Sequence, residues 1–196
     1  MILPIVAYGD PVLKKKAKAI ETEYPNLNEL IDNMFETMYN AHGVGLAAPQ
    51  IGLSIRLFVV DASPFAEDEE LNEEQQQSLA TFKKVFINPV ITEESGEEWA
   101  FNEGCLSIPD VREDVFRKEK ITITYLDQNL VTQTHSFDGL AARVIQHEYD
   151  HIEGILFTDK LSSLKKRLIK GKLSNISKGK IQMDYRMRFP LLKKGR

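Results

Sequence analysis

The residues best suited to chemistry lie between Gln146 and His151, where the chain reads Gln-His-Glu-Tyr-Asp-His. His147 and His151 are four residues apart, and four residues advance an α-helix by about 6 Å and slightly more than one turn. On a helix both imidazoles therefore leave one face and can bind one divalent cation. Glu148 then lies beside that cation, placed to take a proton from water. The bland alternative is two histidines and a glutamate on a solvated helix face. It fits poorly with Leu140, Val144, Ile145, Tyr149 and Ile152, whose spacing marks a helix that joins a core.

A catalytic site with an open position needs a third protein ligand. A histidine six residues after the second would serve, but Phe157 stands there. A downstream glutamate would also serve, yet none follows Glu153, which sits too close behind His151. Asp159 and Asp184 stay open without support from a local pattern. Upstream stand His42, Cys105 and His135. His135 lies in the polar run Thr132–Ser136 and is expected to face solvent. Cys105 is preferred, because a thiolate is a strong ligand for zinc or iron. It follows Gly104, which permits close backbone approach, and precedes Pro109, which limits strand pairing and suggests an edge or bulged strand. A third unusual segment, Gly43-Val44-Gly45-Leu46-Ala47-Ala48-Pro49-Gln50, is small, glycine-rich and ends in one amide. It lacks the Gly-Lys-Ser/Thr ending of a phosphate cradle and reads as a backbone-lined peptide-binding wall.

These residues need elements to position them. Leu27, Leu30, Ile31, Met34, Phe35 and Met38 recur at helical spacing and predict a helix over Pro25–Ala41, stopped by Gly43 and Gly45. Strands are expected at Ile55–Val60, Lys84–Ile91, Ile121–Leu126 and Leu130–Phe137, the last two joined by a turn at Asp127–Asn129. Gly139–Ile152 is the expected ligand-bearing helix, with Asp138 as its cap. The acidic stretch Pro64–Thr81 reads as a solvated loop or marginal helix, and Leu161 to about Leu173 as a basic amphipathic helix. Strands with few intervening helices point to an α+β fold rather than a doubly wound sheet.

A chain of 196 residues suits one domain with a real core. No apolar run approaches the ~18 residues of a membrane span, and the apolar start is too short for a signal segment, so no membrane role and a cytoplasmic location are expected. One cysteine excludes an internal disulfide. The net charge of −4 hides a strong asymmetry: Lys160 to Arg196 holds 13 Lys/Arg against the single acid Asp184. We therefore expect a catalytic part over 1–159 and a basic helix and tail of the same domain over 160–196. The basic part either packs on the acidic body or meets something anionic.

Together the three motif segments resemble the peptide deformylase family. Its marks are G-x-G-x-A-A-x-Q (Gly43–Gln50), E-G-C-x-S (Glu103–Ser107) and Q-H-E-x-D-H (Gln146–His151), complete and in order. The resemblance implies an α+β domain whose antiparallel strands surround a central metal-binding helix. It implies a hydrolase that removes the formyl group from N-terminal formyl-methionine of nascent polypeptides, releasing formate. Cys105, His147 and His151 would hold the metal, usually iron(II) in the family, with zinc, nickel or cobalt able to occupy such a site. Glu148 would act as general base and then acid. The Gln50 amide and the Leu106 N–H would donate to the oxyanion, and Gly45 would bind the substrate backbone. Val44, Glu103, Leu140 and Arg143 would border the methionine pocket, Arg143 with its stem as wall and its guanidinium at the mouth. Since the substrate is made on the ribosome, ribosomal RNA is the expected partner of the basic segment. Two features depart from commoner members: the acidic Glu67–Glu74 insertion and the tail beyond roughly Gly171. The rival functions are a metallopeptidase of another H-E-x-x-H family and an inactive ribosome-associated homologue. The first would want a histidine or glutamate as third ligand; the second would be expected to have lost Glu148, Gln50 or a ligand.

Overall fold

The structure is a computed structural model and describes residues 1–21 and 24–191. After a short strand β1 (Ile5–Val6), helix α1 covers Leu27–Asn40. Its buried side is Ile31, Met34, Phe35 and Met38, as the spacing predicts. The helix ends by a different device from the expected one. His42, not a glycine, adopts the left-handed conformation (φ 55°), and the Gly43 N–H closes back on the Met38 carbonyl at 2.9 Å.

Strands β2 (Gly45–Ala47) and β3 (Leu57–Asp61) follow, then helix α2 (Glu73–Ala80). The acidic stretch is thus more ordered than its composition suggests. Asn72 and Gln75 cap α2 reciprocally, and Phe65, Ala66, Leu71 and Leu79 rest on the core. Next come two long strands, β4 (Lys83–Cys105) and β5 (Ile108–Leu126), then β6 (Thr132–Asp138). These strands extend far beyond the expected apolar runs. From about Thr92 most side chains of β4 are exposed or half-buried. Backbone pairing with β5 therefore sustains the outer hairpin, and the hydrophobic pattern cannot announce it. The five strands form one antiparallel sheet in the order β2-β3-β4-β5-β6.

Helix α3 (Gly139–Ile152) has the bounds read from the sequence and packs against β2, β3, β5 and β6. All its residues except Gly139, Leu140 and Tyr149 are buried. Asp138 occupies the N-cap position, but its side chain makes no capping hydrogen bond, a correction to the expectation; Gly139 supplies the turn with φ 54°. Helix α4 (Ser163–Ser177) is capped by the Ser162 hydroxyl. It buries Ile169, Leu173 and Ile176 against Ile108, Val111 and Phe157. Leu164 and Leu168 of the same helix are exposed at 64% and 71%. Strand β7 (Met187–Arg188) then returns to pair in parallel with β1, which no sequence pattern announced. Among the described residues no helix is long and apolar enough to cross a membrane.

Candidate active site

Cys105 closes β4, and a two-residue turn, Leu106-Ser107, leads into β5, where Ile108 pairs back with Cys105. Between Glu103↔Glu113 and Cys105↔Ile108 the ladder slips, so 109–112, including Pro109, fall out of register. The expected bulge is present, and such bulges re-aim side chains. Here it turns Cys105 toward α3. The donor atoms of Cys105, His147 and His151 lie within 4.8 Å of one another, with Cys105 Sγ 3.2 Å from His151 Nε2. Neither His42 nor His135 joins this cluster: His42 stands exposed where it lines the same cavity, 3.6 Å from Asp184, and His135 lies beside the Tyr125 hydroxyl.

The groups behind these donors orient them. His147 Nδ1–H donates to Glu103 Oε2 at 2.9 Å, which turns Nε2 toward the cluster. Glu103 accepts two bonds from Arg117, at 2.7 and 2.9 Å, and one from Arg143 at 3.1 Å. Burial would raise the Glu103 carboxyl, but the Arg117 and His147 contacts outweigh it and hold it well below the usual carboxylate range. Arg117 also donates to Asp150 at 2.6 Å, tying the hairpin to the ligand-bearing helix. Phe157, six residues beyond His151, stacks on the His147 ring.

Glu148 is buried beside the donors, and its Oε2 has no hydrogen-bond partner among the described residues. Burial pushes its carboxyl up to about 7. Gly45 lies directly against it; a Cβ there would meet Glu148 Cδ at 2.8 Å, so only glycine lets β2 approach this closely. A Cβ on Gly43 would likewise meet Leu106 Cδ1 at 2.7 Å. The Gln50 side chain is buried, and its Oε1 accepts from the Ala47 N–H at 2.8 Å. Its NH₂ must then face the cluster, 3.4 Å from Ser107 Oγ and 3.5 Å from Cys105 Sγ.

These groups share a cavity of about 520 Å³. Val44, Gly45, Gln50, Glu103, Cys105, Leu106, Arg143, His147 and Glu148 all line it. Two expectations change. Leu140 lies outside this cavity, on a neighbouring groove with Trp99 and Phe137. The Arg143 guanidinium is not at the mouth but buried, donating to the Val115 and Trp99 carbonyls and stacked 4.3 Å above the Trp99 ring. Sequence reasoning missed Phe65, Phe101, Val144, Met183 and Tyr185 as lining residues, and Arg117 as the centre of the charge network. Arg117 sits in a charged run that reads as solvated surface, so no local signal pointed to it.

One thiolate and two imidazoles fit a divalent metal, and the unpartnered carboxylate oxygen beside them leaves a polar position for the reacting atoms. The α+β fold and this cavity thus define the class, a metal-dependent hydrolase. The chain belongs to the polypeptide deformylase family, whose model matches residues 2–167. It is 70% identical to a peptide deformylase of Christiangramia forsetii and 65% identical to one of Flavobacterium johnsoniae, each over all of both chains. The crystal structure of a peptide deformylase from Legionella pneumophila superposes with a TM-score of 0.77 at 40% identity, covering 92% of this chain and 98% of that one. That of Thermotoga maritima gives 0.71 at 37% identity, covering 83% and 99%. The chain is accordingly a hydrolase that removes the formyl group from the N-terminal formyl-methionine of nascent polypeptides.

Proposed function

We propose that Cys105, His147 and His151 hold the divalent ion, iron(II) in the working enzyme, with zinc, nickel or cobalt as substitutes. The observation that carries this reading is that their donor atoms lie within 4.8 Å of one another, with Cys105 and His147 lining the cavity that also holds Glu148 and Gln50. The ion would supply Lewis acidity toward water and the formyl carbonyl. Glu148 takes the proton of the attacking water and then hands it to the leaving amine. The Gln50 NH₂ and the Leu106 N–H donate to the oxyanion as the carbonyl carbon becomes tetrahedral. Gly45 offers its backbone to the substrate. Val44, Glu103 and Arg143 border the methionine pocket together with Phe65, Phe101 and Val144.

Residues 1–159 form the catalytic part in this reading and 160–196 a basic extension of the same domain. Burial of Ile169, Leu173 and Ile176 in the cluster holding Ile108 and Phe157 supports that division without a separate core. The exposed face of α4 carries Arg167, Lys170 and Lys172 and would meet ribosomal RNA in the cytoplasm, where formylated chains emerge. The test is formate release from formyl-Met-Ala-Ser by anaerobically purified, iron-loaded protein. Turnover that disappears on chelation and returns with iron is expected. No release from the loaded protein would overturn the assignment of these residues.

A further inference from the structure

The Leu106-Ser107 turn is unusual for its length. Two-residue hairpin turns match the twist of their strands when the central residues take positive φ; with negative φ the strands splay. Neither Leu106 nor Ser107 has positive φ, and the ladder beside them is already broken. The turn is instead held from outside. The Tyr8 N–H donates to the Ser107 carbonyl at 2.8 Å, and the Tyr185 hydroxyl donates to the Leu106 carbonyl at 2.8 Å.

Tyr185 reaches this point on a strap that is itself anchored. The Ile5 N–H donates to the Arg186 carbonyl and the Ala7 N–H to the Arg188 carbonyl, both at 2.9 Å. Tyr185 and Met187 pack with Ile5, Leu46 and Leu57, while Ile181 and Phe189 pack with Val6 and Leu13. Met183 and Tyr185 also line the cavity of Glu148 and Cys105. A phenol fixed by its own backbone and packing can hold a carbonyl at a set place; a phenol on a free tail could not.

We propose that Tyr185 is a positioning residue of the active site, whose hydroxyl fixes the turn that carries both Cys105 and the Leu106 N–H. The inference rests on the reading that this N–H serves the oxyanion. Removing an oxyanion donor outright costs about 10²–10³-fold in kcat. Loosening its turn, with Gln50 and the metal ligands intact, costs part of that.

The experiment compares wild type, Tyr185→Phe and Tyr185→Leu, each metal-loaded. For Tyr185→Phe, kcat on formyl-Met-Ala-Ser is expected to fall about 10-fold with KM within about twofold and metal content unchanged. Amide hydrogen exchange at Leu106–Ile108 should quicken about 10-fold, while Phe58–Val60 in the core stays protected. Tyr185→Leu should match Tyr185→Phe in kcat, since the hydroxyl and not the ring carries the effect. Wild-type kcat and exchange in Tyr185→Phe, with loss only in Tyr185→Leu, would reduce Tyr185 to packing and overturn the proposal. The wild type separates the two readings. If it releases no formate, the site assignment falls, while the exchange rates still decide whether Tyr185 holds the turn.

Discussion

At the scale of single residues, Glu148 is distinguished by what it lacks. A buried carboxylate oxygen with no partner is costly unless a proton or ligand meets it during function. His147 spends one ring nitrogen on Glu103, whereas Glu148 keeps an oxygen for the cavity. Glu148→Ala should therefore retain one metal per chain and lose more than ~10²-fold in turnover, the usual scale for a positioned acid–base group. Metal analysis beside kinetics checks this; loss of metal in step with activity would make Glu148 a ligand. Gly45 belongs to the same argument, because its missing side chain is the space Glu148 occupies.

At the scale of elements, the hairpin of β4 and β5 and the helix α3 are joined by buried charge. Arg117 reaches Glu103 on β4 and Asp150 on α3, and all three are buried. Removing one member of such a network strands the others, at a typical cost of about 3–5 kcal/mol. Arg117→Met should lower the urea midpoint accordingly and weaken metal binding by about 10–100-fold, since Glu103 then holds His147 less firmly. An unchanged midpoint would show that Arg143 and Lys160 suffice as partners. A second link, between α1 and β3, is the Tyr39 hydroxyl donating to Asp61 at 2.6 Å. Burial would raise the Asp61 carboxyl, but hydrogen bonds from Ser63 and Tyr39 and the charge of Lys83 lower it below its ordinary value. A depressed folded-state pKa stabilises above the unfolded value, near 3.9, and that contribution is lost as pH falls through the folded one. The stability gap between wild type and Tyr39→Phe should thus be fullest above about pH 4 and close below it. Urea titrations at several pH values read this directly, and a gap independent of pH would remove Asp61 from the account.

At the scale of the whole molecule, charge is divided between an acidic body and a basic C-terminal part. Some of that basic charge is already engaged. Lys165 pairs with Glu113 at 2.9 Å, and Lys166 donates to the Asp159 carbonyl at 2.7 Å. Arg167, Lys170 and Lys172 are exposed and make no ion pair among the described residues. Reversing these three together should weaken ribosome co-sedimentation and flatten its log–log salt dependence by about 2–3 units, at ~0.7–0.9 counterion per contact. Turnover of a free formyl-peptide should be unchanged, since none of the three side chains lines the cavity. Ribosome binding that keeps its strength and salt slope in the triple variant would leave α4 as ordinary solvated surface.

The sequence by itself determined what local periodicity can encode. The 3.6-residue pattern of α1 and α3 predicted both helices, α3 with its bounds, and the four-residue spacing of His147 and His151 predicted one shared face. The order of the three motifs pointed to Gln50 and Cys105 as partners of that helix, which carries Glu148. The outer half of β4 carries no such pattern, because its stability lies in backbone pairing and its side chains stay largely in solvent. The supporting contacts are long-range. Tyr185 meets Leu106 across 79 positions, Arg143 meets Glu103 across 40, and Arg117 meets Asp150 across 33. A buried arginine and an exposed one are written alike in a sequence. Only the packing of distant segments decides which guanidinium is enclosed with a carboxylate, and that is why Arg117 and Tyr185 appear with the tertiary structure alone.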